Sequence, residues 1–185
     1  MVQDGGTISL CPLEMGSVST VVGPRNVPQT IRSLGSISKP DYVDLFTVRT
    51  AGATHGSAEQ WARAILEEAP LSRRNARVLW RSMGLRLGPR GSPEHIQGWE
   101  IAARGDNWLL AETGSWYLTA QAVCAVEPDQ VSISLSLHYD RPVAAFVWRL
   151  IEGQHQKAVP VMLRQAVRAM EVKQGCGHVV ARSCS

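Results

Sequence analysis

Residues 131–139, VSISLSLHY, decide the fold together with the segment that follows them. The odd-numbered residues are apolar or aromatic, whereas the even-numbered ones are serines and a histidine. This alternation predicts a strand with one buried face and one solvent-exposed face. The chain then passes through Asp140-Arg141-Pro142 into a long amphipathic segment that ends near Met170. Asp140 or Arg141 lies near the helix cap and Pro142 fits the first turn, so a long helix is expected to lie against the sheet.

The helix predicted over residues 142–170 is about 43 Å long, at ~1.5 Å of rise per residue. Gly153 costs about 1 kcal/mol relative to alanine, and Pro160 has no N–H to donate to the carbonyl of Gln156. We therefore expect a bend near Pro160, which would let the helix follow a curved sheet. The apolar face of this helix consists of Val143, Val147, Leu150, Ile151, Ala158, Val159, Met162, Ala166 and Met170.

Two short helices are predicted after a first strand. That strand covers residues 42–50, YVDLFTVRT, which are rich in β-branched and aromatic side chains. Ser57 begins a capping-box pattern that starts the first helix, and Pro70 ends it. Ser72 is suited to cap the second helix, which ends at Gly84.

The middle of the chain predicts an antiparallel meander, because short turns join neighbouring strand-like runs. The predicted fold class is α+β, with a curved antiparallel sheet wrapped around the long C-terminal helix. We expect residues 1–40 to be a flexible leader, residues 41–171 to form the domain and residues 172–185 to be a flexible tail. The strand-like runs of the meander are residues 96–104, 107–115, 116–126 and 131–139.

Composition indicates one globular domain. The 185 residues are 44% hydrophobic and 19% charged, which suits a single core and argues against disorder. The net charge of +3 is mild, so the sequence does not favour nucleic acid as a partner. No run approaches the ~20 apolar residues that a membrane span needs, and no signal peptide is evident. A soluble, cytoplasmic protein is expected, and its oligomeric state is left open.

Cysteine and histidine residues near the end of the chain pose the question of a metal site. Cys176, His178 and Cys184 have ligand chemistry, but structural zinc normally takes four ligands. The surrounding segment is polar and contains glycine, which favours a tail without metal. The sequence also has no phosphate-binding loop, dinucleotide fingerprint, nucleophile elbow or zinc-hydrolase motif. We expect neither a metal nor a cofactor.

The order of the predicted elements resembles the START-like, or SRPBCC, helix-grip superfamily, and in particular an uncharacterised bacterial branch of it. GLRLGP at residues 84–89, GW at residues 98–99 and FVWRLIEGQHQKAVPVMLRQAVRA at residues 146–169 carry the resemblance. It covers roughly residues 41–170. The resemblance implies a sheet that wraps the terminal helix and encloses a cavity for an apolar ligand. The superfamily includes lipid and steroid carriers, polyketide aromatase/cyclases and ligand sensors, so the fold alone does not name a function.

His155 is the candidate functional residue of the long helix. It lies four residues after Ile151 and four before Val159, so it interrupts the apolar face. In the family that the chain resembles, a histidine recurs in this part of the terminal helix. An imidazole at a cavity is suited to hold a ligand oxygen or to transfer a proton near neutral pH. The alternative is a histidine at the edge of the core that bonds to a strand group or a backbone carbonyl.

Glu112 has the same strand parity as Trp108 and Leu110, which makes it a candidate inward-facing carboxylate. If buried, it would have a raised pKa and act as an acid or base. The alternative is a carboxylate on a solvated strand face or one paired with an arginine. Aromatic residues are candidates to line a pocket, or else simply to fill the core. They are Trp99, Trp108, Trp116 and Tyr139.

Six arginines without an intervening acid occupy residues 73–90. Arg73, Arg77 and Arg81 recur every four residues on one helical face, which is a candidate contact for an anion or RNA. Because acidic residues of the preceding helix are available as partners, a solvated and partly paired face is the alternative. Those acidic residues are Glu59, Glu67 and Glu68.

Three functional hypotheses follow. The first is a domain that binds a small apolar or aromatic molecule without covalent chemistry, with Trp99, Glu112, Tyr139 and His155 as ligand-binding residues. The second is a cyclase/dehydratase-type lyase in which His155, with Glu112 or Tyr139, moves protons on a carbonyl compound. The third is an anion- or nucleic-acid-binding module that uses the arginines of residues 73–90. A sealed apolar cavity of about 300 Å³ or more, reached by His155, would support either of the first two.

Overall fold

The strand predicted at residues 131–139 lies inside a seven-stranded antiparallel sheet, which is curved and open. This computed structural model describes residues 16–181, with side chains for residues 16–69 and 76–173. The strands are β1 (Val18–Val22), β2 (Tyr42–Arg49), β3 (His95–Ile96), β4 (Trp99–Arg104), β5 (Trp108–Gly114), β6 (Leu118–Glu127) and β7 (Gln130–Tyr139). Their order across the sheet is β1-β2-β7-β6-β5-β4-β3. The α+β class and the antiparallel meander are confirmed.

The helices lie where the capping and breaking residues predict, with two differences. α2 begins after Ser57, whose side chain and Gln60 form the predicted capping box. α3 begins at Pro70, where the missing proline N–H is no loss, and not at Ser72. α4 continues beyond Met170 and contains Pro160. The helices are α1 (Gln29–Arg32), α2 (Ala58–Arg63), which continues as a π-helical segment (Ala64–Glu68), α3 (Pro70–Ser82) and α4 (Val143–Ala181), with a 3₁₀ turn (Ala53–His55) before α2.

One face of the sheet, here called the inner face, packs against the helices. The alternation of β7 places Ile133 and Leu137 on this face, where they join Phe46 of β2 and Leu163 of α4 in the main core. Full burial of each such side chain contributes about 1.5–3 kcal/mol. The inner face therefore fixes the register of β7, because a slip by one residue would put serines into the core.

The opposite face of the sheet is here called the outer face. The alternation of β7 predicted that this face would be exposed to solvent, but part of it is buried. Val27, Val43 and Leu45 form a second buried cluster there, joined by Val21 and Ile31. The serines of β7 nearest to this cluster are buried as well, and only the far end of that face of β7 is exposed. These buried serines are Ser132 and Ser134.

The residues that cover the outer face belong to the segment predicted as a flexible leader. That prediction is corrected for residues 16–40, because β1 pairs along its whole length with β2, from Val18↔Val48 to Val22↔Asp44. Residues 1–15 lie outside the described residues. The predicted tail is corrected in part, since α4 runs to Ala181, while residues 182–185 also lie outside them. Within the described chain, no helix is both long enough and apolar enough to cross a membrane.

Candidate functional site

A cavity of about 280 Å³ lies between the inner face of the sheet, α3 and α4. Its walls come from β2, β4, β6 and β7 together with both helices. Almost all the lining side chains are apolar. Leu79 of α3 and Gln154 of α4 are the exposed members of the lining, so the opening lies between these two helices. The polar lining residues are Asp44, Ser134, Gln154 and His155.

The size of the cavity restricts what fits. A dry apolar cavity of about 150 Å³ is enough to hold benzene. The cavity here is nearly twice that volume, which is enough room for a substituted benzene.

The polar end of the cavity is a buried carboxylate bonded to an imidazole. Asp44 is completely buried, and its Oδ2 lies 2.8 Å from Nε2 of His155. The Tyr42 hydroxyl donates to the same oxygen at 2.8 Å, and the amide of Leu135 donates to Oδ1 at 3.2 Å. Gln156 in turn donates to the Tyr42 hydroxyl at 3.0 Å. The carboxylate is therefore surrounded by donors, which is the condition for burying such a group.

Strand parity and helix periodicity bring this pair together. Asp44 has the same strand parity as Tyr42 and Phe46, so all three side chains lie on the inner face of β2. His155 lies one turn after Ile151, on the face of α4 that lines the cavity. The rings of Phe46 and Trp148 lie 5.8 and 5.2 Å from the imidazole and restrict its rotation. Among the described residues, Nδ1 of His155 has no hydrogen-bond partner. That nitrogen is thus the atom available to a ligand.

Tyr42 supports the pair as a permanent donor. Burial, together with the neighbouring Asp44 carboxylate, raises the pKa of the Tyr42 hydroxyl far above its ordinary value. The hydroxyl therefore stays protonated at physiological pH, and its proton remains on the Asp44 side of the contact. Its ring packs 4.8 Å from that of Trp148, so the same side chain fixes an aromatic wall of the cavity.

Two of the four predicted ligand-binding residues line the cavity, namely Trp99 and His155. Trp99 is buried on β4, and its ring lies 5.2 Å from that of Trp80 on α3. Tyr139 packs against the edge of the core, where burial raises its pKa, but it is not part of the cavity wall.

The structure corrects the prediction that Glu112 faces the cavity. Glu112 lies on the outer face, where its Oε1 accepts from Gln121 at 2.7 Å and from the hydroxyl of Ser36 at 3.1 Å. The inner positions of β5 are Leu109 and Ala111 instead. A proton-transfer role for Glu112 at His155 is thereby excluded.

The remaining aromatic candidates also lie away from the cavity. Trp108 is half-buried and Trp116 is 71% exposed in the turn between β5 and β6. Cys124 is a free, buried thiol whose pKa burial raises to about 12, which makes it inert. The possible ligands Cys176, His178 and Cys184 lie outside the described side chains. In the described part of the chain, no group of histidine, cysteine or acidic residues is placed to hold a metal.

Two described arginines, Arg77 and Arg63, are held by backbone carbonyls and by acids. Arg77 donates to the carbonyl oxygens of Gln97 and Gly88, at 3.1 and 2.6 Å. Glu59 and Glu67 do act as partners, but they pair with Arg63 of their own helical segment. Glu68 pairs with Lys173. The side chains of Arg73 and Arg74 lie outside the described residues.

Asp44 is the candidate site residue that the sequence reasoning missed. It is an acid in the middle of a strand, with the same parity as Tyr42, Phe46 and Val48. An acid among core-facing residues needs a buried partner, and a histidine on the apolar face of a helix is the natural one. That signal is present in YVDLFTV.

Comparisons with family models, curated proteins and solved structures found no match for this chain. The resemblance to the START-like superfamily therefore remains a prediction. The arrangement of the sheet and of α4 is compatible with a helix-grip architecture.

Proposed function

We propose that this protein binds a small, mostly apolar molecule between the sheet and α4, and that His155 holds its polar group. The observation that carries the proposal is a cavity of about 280 Å³ with apolar walls and one buried Asp44–His155 pair. Ligand sites commonly combine apolar walls with a few fixed polar groups. Apolar contact supplies the affinity, at about 25 cal/mol per Å² buried, and the imidazole supplies orientation.

The tautomer of His155 follows from its partner. A carboxylate accepts hydrogen bonds, so the neutral imidazole carries its proton on Nε2, toward Asp44. Nδ1 then presents a lone pair and accepts a hydrogen bond from a ligand hydroxyl. This pairing is the same device that fixes metal-binding and catalytic histidines, in which a carboxylate holds one ring nitrogen so that the other is correctly aimed.

Proton transfer is the second candidate function, and the Asp44–His155 pair is the observation that favours it. A buried carboxylate that orients an imidazole also stabilises the imidazolium formed when Nδ1 takes a proton. The corresponding activity is that of a cyclase/dehydratase-type lyase, with His155 as the general base. Asp44 would act through His155, because it bonds to the imidazole. Tyr42 would act through Asp44, to which its hydroxyl donates.

The third hypothesis, an anion- or nucleic-acid-binding module that uses the arginines of residues 73–90, has less support. Of its described members, Arg77 is committed to two backbone carbonyls of the loop between α3 and β4. A phosphate would have to compete with those bonds. Binding that falls steeply as salt increases would revive this alternative.

Binding in the cavity is tested with a variant whose larger side chain fills the cavity. It is compared with a matched variant whose larger side chain faces away from the cavity. Ala122 and Ala125 lie on the same strand with similar exposure, 8% and 7%, but Ala122 lines the cavity and Ala125 faces outward. The probe is 1,4-diethylbenzene, measured by calorimetry. Ala122→Phe should weaken its binding at least tenfold, because the new ring takes up the volume. Ala125→Phe should bind as the wild type does, after circular dichroism confirms that both variants fold.

The role of His155 is tested with 4-ethylphenol, in which a hydroxyl replaces one ethyl group of 1,4-diethylbenzene. His155→Ala should weaken 4-ethylphenol about three- to tenfold, corresponding to one lost hydrogen bond, and should change 1,4-diethylbenzene binding little. Equal binding of 1,4-diethylbenzene by wild type and Ala122→Phe, or its failure to bind the wild type, would contradict the proposal. Native mass spectrometry of freshly purified protein would identify a natural ligand that copurifies.

A further inference from the structure

The opening of the cavity lies in a surface formed by α3 and α4, on which large apolar side chains are exposed. Leu79 of α3 and Gln154 of α4 border the opening. Val78 precedes Leu79 and is 69% exposed, and Leu150, one turn before Gln154, is 65% exposed. A single exposed apolar residue is ordinary, but exposed apolar residues on both sides of a cavity opening indicate a contact surface.

The same surface carries cations. Lys157 is exposed three residues after Gln154 and seven after Leu150, so it shares their side of α4. Arg81 is exposed three residues after Val78 on α3. Within residues 16–69 and 76–173, neither cation is paired with a carboxylate. This surface is here called the opening face, and its members are Val78, Leu79, Arg81, Phe146, Leu150, Gln154 and Lys157.

No acidic residue offsets these cations. α3 contains none, and Glu152 is the only acid in residues 143–170 of α4. The pKa values of Tyr42 and Tyr139 are raised first by burial and further by nearby charges that include Glu152. Glu152 therefore lies on the side of α4 that faces β2 and β7, away from the opening face. The opening face combines exposed apolar groups with uncompensated positive charge.

This charge selects the partner. A second copy docked symmetrically through the opening face would bring Arg81 and Lys157 against the same cations of its partner, and like charges oppose such a contact. An anionic partner removes the repulsion, while the exposed apolar side chains need an apolar environment beside the anions. The headgroups and acyl chains of an anionic bilayer supply both.

The cavity favours a bilayer over an acidic protein as the anionic partner. A small apolar molecule, such as the proposed ligand, partitions from water into the acyl region of a membrane. A bilayer against the opening face places that reservoir at the opening itself. A folded protein at the same place would cover the opening.

We propose that the opening face docks on an anionic lipid bilayer. Val78, Phe146 and Leu150 enter the boundary between headgroups and acyl chains, and Arg81 and Lys157 contact the anionic headgroups. The docking goes beyond the proposed binding function, and only the choice of a bilayer over an acidic protein rests on that function.

The experiment measures cosedimentation with sucrose-loaded vesicles. One set contains equal parts of phosphatidylglycerol and phosphatidylcholine, and the other contains phosphatidylcholine alone. The charge variant is Arg81→Gln/Lys157→Gln, and the apolar variant is Val78→Ser/Leu150→Ser. None of these four residues lines the cavity, so both variants should bind 1,4-diethylbenzene in solution as the wild type does.

Matched controls remove the same groups from the other side of the molecule. Arg25→Gln/Arg49→Gln removes two exposed arginines, one from the loop after β1 and one from the end of β2. Val22→Ser removes a valine of β1 that is 36% exposed. Circular dichroism confirms that every variant folds.

We expect the wild type to bind the anionic vesicles at least tenfold more tightly than the phosphatidylcholine vesicles, with binding that weakens as salt increases. The charge variant should bind the anionic vesicles about thirtyfold more weakly, at about fivefold per charge. The apolar variant should lose about tenfold, because its serines gain nothing from the acyl region. The controls should bind as the wild type does.

Equal losses in the charge variant and in Arg25→Gln/Arg49→Gln would show attraction by net charge alone and overturn the assignment of the opening face. A wild type that binds neither vesicle overturns the docking. Sedimentation velocity then identifies a second copy as the occupant, if Leu150→Ser abolishes a dimer, whereas a monomer leaves an acidic protein. Vesicle binding without any binding of 1,4-diethylbenzene overturns the proposed function and leaves the docking standing.

Discussion

A buried polar side chain lies on each face of the sheet, Gln121 on the outer face and Asp44 on the inner face, and the two differ in what surrounds them. On the outer face, Gln121 is 2% exposed, and its Oε1 accepts from the amides of Ser36 and Ile37, both at 3.0 Å. Its Nε2 donates to Glu112 and to the Ser36 hydroxyl. On the inner face, Asp44 is equally well bonded, but it adjoins a cavity.

The difference between the two faces separates a polar group whose bonds are all within the protein from one that adjoins a cavity. Gln121 and its partners use their bonding capacity on one another, and the effect is to fasten residues 36–37 to the sheet. Beside Asp44, Nδ1 of His155 has no hydrogen-bond partner among the described residues, and His155 lines the cavity. Burial of a polar residue alone therefore does not identify a site. An unbonded polar atom on a residue that lines a cavity is the additional observation on which the proposed site rests.

The largest expected effect compares the two buried polar residues directly. Asp44→Ala removes the acceptor of Tyr42, His155 and Leu135, and should lower the free energy of unfolding by about 3–5 kcal/mol, as for breaking a buried pair. Gln121→Ala should cost about 1–3 kcal/mol, because its partners lie nearer to solvent. Urea unfolding followed by circular dichroism measures both. A larger loss for Gln121→Ala would break the comparison.

The same contrast is testable among tryptophans. Trp61→Phe removes a bonded N–H and one of the two donors to the carbonyl of Ala53, which keeps the N–H of Gly56, whereas Trp99→Phe removes a donor that has no partner among the described residues. We expect Trp61→Phe to destabilise the unliganded protein by about 1–2 kcal/mol more than Trp99→Phe does. Equal losses in parallel urea titrations would mean that the Trp99 nitrogen is already satisfied.

The smallest effect concerns alkaline pH and sharpens the description of Tyr42. Its pKa is raised by burial and by Asp44 above an ordinary value of 10.0, so above that pH the unfolded chain loses this proton while the folded protein keeps it. The contribution of Tyr42 to the free energy of unfolding is therefore present at neutral pH. It declines as the pH rises past 10, by up to about 1.4 kcal/mol per pH unit.

Stability measured between pH 10 and pH 11 should therefore decline less steeply in Tyr42→Phe than in the wild type. Gln121→Ala serves as the control, since it removes no titrating group and should keep the wild-type slope. The same slope in Tyr42→Phe and wild type would show that the Tyr42 hydroxyl ionises in the folded protein as it does in the unfolded one.

The inner half of the fold was predictable because its signals are local. The strict alternation of β7 and the turn at Pro128-Asp129 determine the β6–β7 hairpin, and the capping box places the start of α2. His155 was identified by helix periodicity, together with the histidine that recurs there in the family that the chain resembles. Each of these signals lies within a few residues of the feature that it predicts.

The outer half was not predictable in the same way. β1 is a five-residue strand whose partner β2 lies more than twenty residues away, with no tight turn between them. Because residues 23–40 cover the outer face, β5 is apolar on both sides, with Leu109 and Leu110 both buried. The alternation along β5 then does not distinguish the inner face of the sheet from the outer face. This is why Glu112 was assigned to the wrong face.

The pairing of β2 with β7 has a consequence for how the protein is made. Asp44 and His155 are 111 residues apart in the chain, and synthesis proceeds at about 5–20 residues per second. For several seconds, therefore, β2 has been synthesised but β7 and α4 have not. Asp44, which is buried in the folded protein, is uncovered during that time. During that interval the apolar inner face is open to chaperones or to other nascent chains, and only the last-made helix closes it.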